Sequence, residues 1–253
     1  MTGAPTNKNR VEGATVPALL FDEPYYLEIN EARWALAQRV IGDLTPRVPG
    51  GLATCVDVGS GPGWFAERLH GLGLRVTGVE GRRELADEAA HRVPAVDFRC
   101  LNVESPTEMA GLGTFDLTFC FGLVYHTENP FAVVRNLAAV TGKVLLLESQ
   151  VLPTDEPILR IISEGQNHTQ GLTFHSVIPS RTTLVKMLQT AGFTWVAEHT
   201  GRIEHPDFFD TDERYRRRGV YLAARQPYEI AEFRTLPSVA TPKYDFARPQ
   251  GRR

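Results

Sequence analysis

The feature that most limits what this chain can fold into is the run Val56-Asp57-Val58-Gly59-Ser60-Gly61-Pro62-Gly63-Trp64-Phe65. An apolar strand segment runs into three alternate glycines and then into a helical pattern. Glycine is needed where the backbone turns sharply and where a ligand must lie against bare main chain. The G-x-G-x-G spacing departs from the G-x-G-x-x-G of dinucleotide folds and so disfavours a nicotinamide-dependent oxidoreductase. Asp57 stands two residues before the first glycine. A carboxylate there would repel a pyrophosphate, but it can order the loop and hold a cationic amino group, directly or through water.

Around this loop, short apolar runs alternate with helical patterns. Residues 53–58, 74–79, 96–101, 115–121 and 143–148 read as strands, with helices at 83–92 and 130–139. Two later runs, 193–198 and 219–224, bring the strands to seven. Such alternation with right-handed crossovers predicts an α/β fold, a doubly wound and mostly parallel sheet covered on both faces. A helix is expected over residues 30–43, capped by Asn30. Residues 1–17 read as a leader and 18–225 as the domain. Within it, 151–179 is a polar insert too long for an ordinary connector, of the kind that forms lids and substrate loops. Residues 226–253 read as a tail that wraps the surface through aromatic anchors.

Composition narrows the function classes. With 253 residues, 42% of them hydrophobic, a sizeable core is available, and the net charge of -3 argues against a nucleic-acid partner. No apolar run reaches the roughly 18–20 residues of a membrane span, and the leader carries no apolar signal segment. Cys55, Cys100 and Cys120 are an odd count in apolar runs, expected as buried free thiols of a reducing cytoplasm.

The second strand ends at Glu80, seventeen positions after Gly63, where an acid can accept hydrogen bonds from both hydroxyls of a ribose. Beyond the third strand, the side-chain amide of Asn102 can meet an adenine amino group. In order and interval the glycine loop, Glu80, Asn102 and Phe115-Asp116-Leu117 resemble the class I S-adenosylmethionine-dependent methyltransferases over roughly residues 53–225. The resemblance implies a Rossmann-like methyltransferase fold whose two late strands close the sheet as an antiparallel hairpin. It implies S-adenosyl-L-methionine as cofactor, held by Asp57, Gly59, Ser60, Gly61, Gly63, Glu80, Gly81, Asn102, Val103, Phe121 and Gly122. Tyr25 and Tyr26, before the first helix, either fold over the cofactor, as N-terminal elements do in that family, or pack as ordinary aromatics.

The run Gly122-Leu123-Val124-Tyr125-His126, with Pro130 after it and Leu145-Leu146-Leu147-Glu148 later, is similar to a narrower branch. That branch holds the tRNA wobble-uridine carboxymethyltransferases and the sugar and polysaccharide O-methyltransferases. The similarity implies that Tyr125 and His126 lie beside the methionine half of the cofactor. The mildly acidic charge and the polar insert favour a small hydroxylated acceptor, such as a saccharide, over tRNA. A homodimer is the expected assembly, and a catalytically silent cofactor-binding module is the alternative of another class.

An alcohol needs a base, and His126, at a strand's carboxyl end, is the best placed by sequence; the bland reading is that it only caps the next helix. Glu148 can orient His126, bind an acceptor hydroxyl, or join His168, Gln166 or Asn167 on a divalent cation such as Mg2+. The basic run 214–218 lies beside acidic residues and is expected to be a solvated, self-neutralising loop.

Overall fold

Alternation along each strand decides which helices it meets. Leu117, Phe119 and Phe121 pack with Leu36, Val40, Phe65 and Leu69 in one apolar cluster. Cys120, Leu145 and Leu147 pack with Val133, Leu137, Leu184 and Leu188 in a second. A strand between two such layers is largely apolar on both faces, as in the run 144–147, and the buried Thr118 is tolerated because the Thr141 hydroxyl bonds it at 2.8 Å.

The computed structural model describes residues 19–210 and 217–238. Its helices are α1 (Pro24–Leu44), α2 (Trp64–Gly71), α3 (Arg83–Arg92), α4 (Pro106–Ala110), α5 (Pro130–Val140) and α6 (Arg181–Thr190). The strands are β1 (Thr54–Val58), β2 (Arg75–Glu80), β3 (Asp97–Cys100), β4 (Phe115–Phe121), β5 (Thr141–Gln150), β6 (Leu159–Ser163), β7 (His175–Pro179), β8 (Trp195–His199), β9 (Arg218–Ala224) and β10 (Phe233–Thr235). The main sheet has the order β10-β8-β9-β5-β4-β1-β2-β3. From β1 to β5 the pairing is parallel, while β9 runs antiparallel to both β5 and β8. This is the doubly wound sheet the pattern predicts, with the late hairpin closing it.

The parallel strands bring their carboxyl ends to one edge, where such folds bind ligands. The glycine loop, Glu80, the segment after β3, the turn after β4 and Gln150 therefore meet there.

Four expectations change. The main sheet has eight strands, not seven, because β10, from the segment read as tail, pairs antiparallel with β8. The sheet thus runs past residue 225. α1 begins at Pro24, not at Asn30: a proline at the first helical position is pre-organised for the helix. Tyr25 and Tyr26 thereby fall in its first turn, and Asn30 is an interior position whose Oδ1 accepts from Arg33 at 2.8 Å. The insert carries its own hairpin, β6 with β7. All three cysteines are free, but Cys100 is only half-buried. Residues 1–17, the expected leader, lie outside the described residues, as do 239–253 of the tail.

Candidate active site

The glycine loop is tied down before any ligand arrives. Gly59 and Ser60 donate their N–H groups to the Val79 carbonyl at 2.8 and 3.0 Å. Gly63 has φ of +89°, and a Cβ there would come 3.0 Å from the Phe98 ring, so only glycine lets α2 start this close to the sheet. Glu80 clasps the loop from β2: its Oε2 accepts from Gly61 N at 3.0 Å and its Oε1 from Arg82 N at 2.9 Å. Burial pushes the Glu80 carboxyl up, against these hydrogen bonds.

Asp57 lies buried beneath the loop. Burial first, and the nearby Glu80 second, push its carboxyl up to about 8. Its Oδ2 and the hydroxyl of Ser60 are buried with no hydrogen-bond partner among the described residues. Two orphaned polar groups beside bare glycine backbone suit a ligand that brings hydrogen-bonding groups of its own. In the folded chain Asp57 stays neutral where the unfolded chain would ionise. Its stabilisation is therefore full below the ordinary carboxyl value of 3.8 and lost as pH rises through about 8. The melting-temperature difference between the ligand-free wild type and Asp57→Asn should accordingly fall across that window. A difference flat with pH would show an Asp57 that ionises normally.

The glycine loop, Ser60 and Glu80 line one cavity of about 490 Å³, while Asp57 lies beneath the loop and does not border it; that volume is within the range of small-molecule sites. Ser60, Gly81, Asn102, Val103, Phe121, Gly122 and Tyr26 all border it. Asn102 also turns its Oδ1 to the Glu104 N–H at 2.9 Å, which fixes the turn after β3. The hydroxyl of Tyr26 donates to Thr169 at 2.9 Å, so the first turn of α1 meets the insert across the cavity mouth. Arg82 holds the same part of the insert through the Gln170 and Gly171 carbonyls, at 3.1 and 3.0 Å.

Tyr125 and His126 follow β4 in a short 3-10 turn and line the cavity, their rings 4.1 Å apart. The carboxylate that meets His126 is Glu164 of the insert, with Oε1 2.5 Å from Nδ1. Ser176 of β7 donates to the same oxygen, and Gly171 N donates to Oε2 at 2.8 Å. Burial works to raise the Glu164 carboxyl, but the hydrogen bonds from His126, Ser176 and Gly171 outweigh it and hold it below the usual range.

Glu148 sits elsewhere. It is fully buried, ion-paired with Arg33 at 3.1 Å and with Arg218 at 3.0 Å. Arg218 also pairs with Asp207 at 3.3 Å and donates to the Tyr125 hydroxyl at 3.1 Å. The expectation that Glu148 orients His126 is thus corrected, and Glu148 instead anchors the guanidinium that holds Tyr125. The metal expectation falls with it. Glu148 is taken by two guanidiniums, and His168 Nε2 accepts from Leu20 N at 3.1 Å. Among the described residues no group of three or more His, Cys, Asp or Glu is placed to hold an ion, so the structure lends the Mg2+ expectation no support.

The solvated reading of the basic run is also corrected at its end, because Arg218 is buried; residues 214–216 lie outside the described residues. Arg33 and Glu164 were missed by sequence reasoning. An arginine within a helix reads as exposed unless its distant partner is known. Glu164 could have been found only as an acid in a segment rich in cavity-type polar residues.

A family of methyltransferase domains matches residues 31–198. The tRNA U34 carboxymethyltransferase of Edwardsiella ictaluri is 30% identical over 171 residues, 62% of this chain and 48% of that protein. The ubiquinone biosynthesis O-methyltransferase of Xanthomonas axonopodis pv. citri is 31% identical over 132 residues, 46% of this chain and 54% of its own. The chain spans about half the length of the curated relatives it matches. Among solved structures, the N-terminal domain of EvdMO1 with SAH bound superposes with a TM-score of 0.58. It is 20% identical, covering 78% of this chain and 80% of that one, a likeness of fold.

Proposed function

Because the chain belongs to the methyltransferase-domain family, matched over residues 31–198, we propose that it moves a methyl group from S-adenosyl-L-methionine to a hydroxyl of a small acceptor. The observation that carries this reading is His126, at the cavity wall after β4, with Nδ1 held by a buried carboxylate and Nε2 left as its remaining nitrogen.

The residues present fit the cofactor. Gly59, Gly61 and Gly63 let it approach the backbone, and Glu80 accepts from the ribose hydroxyls. The orphaned Ser60 hydroxyl would take its amino-acid end, with the buried Asp57 carboxyl beneath the loop that carries it; Asn102, Val103, Gly81, Phe121 and Gly122 would border the nucleoside and methionine halves, under Tyr26. Bound there, the cofactor supplies a methyl carbon made electrophilic by its sulfonium. The chain's own task is to align the acceptor oxygen with that carbon, exclude water and take the hydroxyl proton. His126 accepts that proton at Nε2. Tyr125, its hydroxyl already accepting from Arg218, has its own O–H left to donate, and it directs that donor at the acceptor.

The second reading is transfer to tRNA, favoured by several similar relatives that are tRNA U34 carboxymethyltransferases. An acceptor screen with methyl-labelled S-adenosylmethionine, run over saccharides, phenols and tRNA, separates the two. Label in a small-molecule hydroxyl fraction is expected. Label confined to tRNA would move the function to the second reading, and no transfer with retained S-adenosylmethionine binding would leave a silent module.

A further inference from the structure

We propose that Glu164 is the positioning residue that makes His126 a base, so the insert supplies half of the catalytic pair. The inference rests on the reading of His126 given above. A neutral imidazole carries one proton, and its position is fixed by the partner of the other nitrogen. Glu164 Oε1, 2.5 Å from Nδ1, is ionised and can only accept. The proton is thereby assigned to Nδ1, and the lone pair to Nε2. In the transfer step the acceptor oxygen bonds the methyl carbon, the carbon–sulfur bond breaks with its electron pair going to sulfur, and the hydroxyl proton passes to Nε2. The imidazolium so formed has Glu164 as counter-charge and returns its proton to water when product leaves.

Glu164 is itself held by three groups, His126 Nδ1 being the first. Ser176 and Gly171 N bind its oxygens, and the Gly171 carbonyl accepts from the Arg82 guanidinium at 3.0 Å. The backbone N–H of Arg82 in turn binds Glu80 at 2.9 Å. One connected set of hydrogen bonds therefore runs from the strand end that faces the cofactor to the base. A carboxylate with only a packing role would not need both oxygens buried and bonded at the cavity wall. Its side chain is 5% exposed, in a hairpin whose β6 is exposed along its whole length.

The test is Glu164→Gln, with Glu164→Asp beside it. The amide keeps the volume but can present its N–H₂ to Nδ1, which selects the wrong tautomer. Expected is a fall in kcat of about 10-fold or more, a share of the 10²–10⁴ that a general base is typically worth. S-adenosylhomocysteine affinity should hold, and Glu164→Asp should recover part of the rate. In the wild type, proton NMR should show a far-downfield Nδ1–H resonance that disappears in both His126→Ala and Glu164→Gln. Its absence from the wild type would overturn the proposal even if every variant failed to fold. A Glu164→Gln enzyme with normal kcat, beside a crippled His126→Ala, would overturn this inference alone. A His126→Ala enzyme with normal kcat would instead remove the base reading beneath it. Loss of cofactor affinity in step with kcat would mark Glu164 as merely structural.

Discussion

Replacing His126 with alanine should lower kcat by about 10²–10⁴-fold, the span that general-base help supplies. An unactivated alcohol deprotonates far above neutral pH, so its attack on a methyl carbon is slow unless the proton leaves during the step. Among the groups bordering the cavity, His126 combines a free nitrogen with a fixed ring. Glu164 holds its Nδ1, and the Tyr125 ring packs 4.1 Å away. Cofactor affinity should change little, by a factor of ~3 or less, because the glycine loop and Glu80, its main anchors in this reading, lie at the ends of β1 and β2 rather than after β4. Steady-state kinetics with a working acceptor, together with calorimetry of S-adenosylhomocysteine, measure both quantities. A variant with near-normal kcat would leave alignment and water exclusion as the whole of catalysis. One that lost cofactor affinity in proportion would place His126 in the binding site rather than in the chemistry.

What the sequence made legible follows from how local each signal is. The glycine loop, Asp57 and Glu80 announce themselves because turn chemistry and strand ends are written in neighbouring residues. They meet at one edge because every parallel crossover returns the chain there. His126 was legible for the same reason. Its partner was not: Glu148 and Glu164 are both acids near the fifth strand, and only the fold tells that one faces two guanidiniums while the other faces the imidazole. Arg33 and Arg218 were illegible because a buried arginine is defined by a carboxylate far away in the chain. β10 was missed because a three-residue edge strand carries almost no pattern of its own. The hairpin at β6 was readable in Leu159-Arg160-Ile161-Ile162, but an expectation of a loop absorbed it.

Glu148→Ala should destabilise the fold by about 3–5 kcal/mol, the cost of leaving a buried charge without its partner. Two guanidiniums, on Arg33 and Arg218, face two carboxylates, Glu148 and Asp207, at a site where all four side chains are buried. Burial holds the Arg33 guanidinium below its usual range, and the Glu148 charge opposes that. For Arg218 burial also works against the charge, but the Tyr125 oxygen and Glu148 prevail and hold it well above. Both arginines keep their charge at neutral pH, so removing Glu148 leaves one uncompensated positive charge in the interior. Urea unfolding at neutral pH reads the loss directly. The double replacement Arg33→Met with Glu148→Leu should recover most of it, because an apolar pair of similar volume costs no more than the ion pair it replaces. A loss under about 1 kcal/mol in the single variant would mean that water reaches the cluster and screens it as on a surface. If the cluster is as dry as its burial indicates, the same variant should also slow turnover more than it weakens cofactor binding. Arg218, freed from Glu148, would no longer fix the Tyr125 hydroxyl, to which the proposed function gives the alignment of the acceptor.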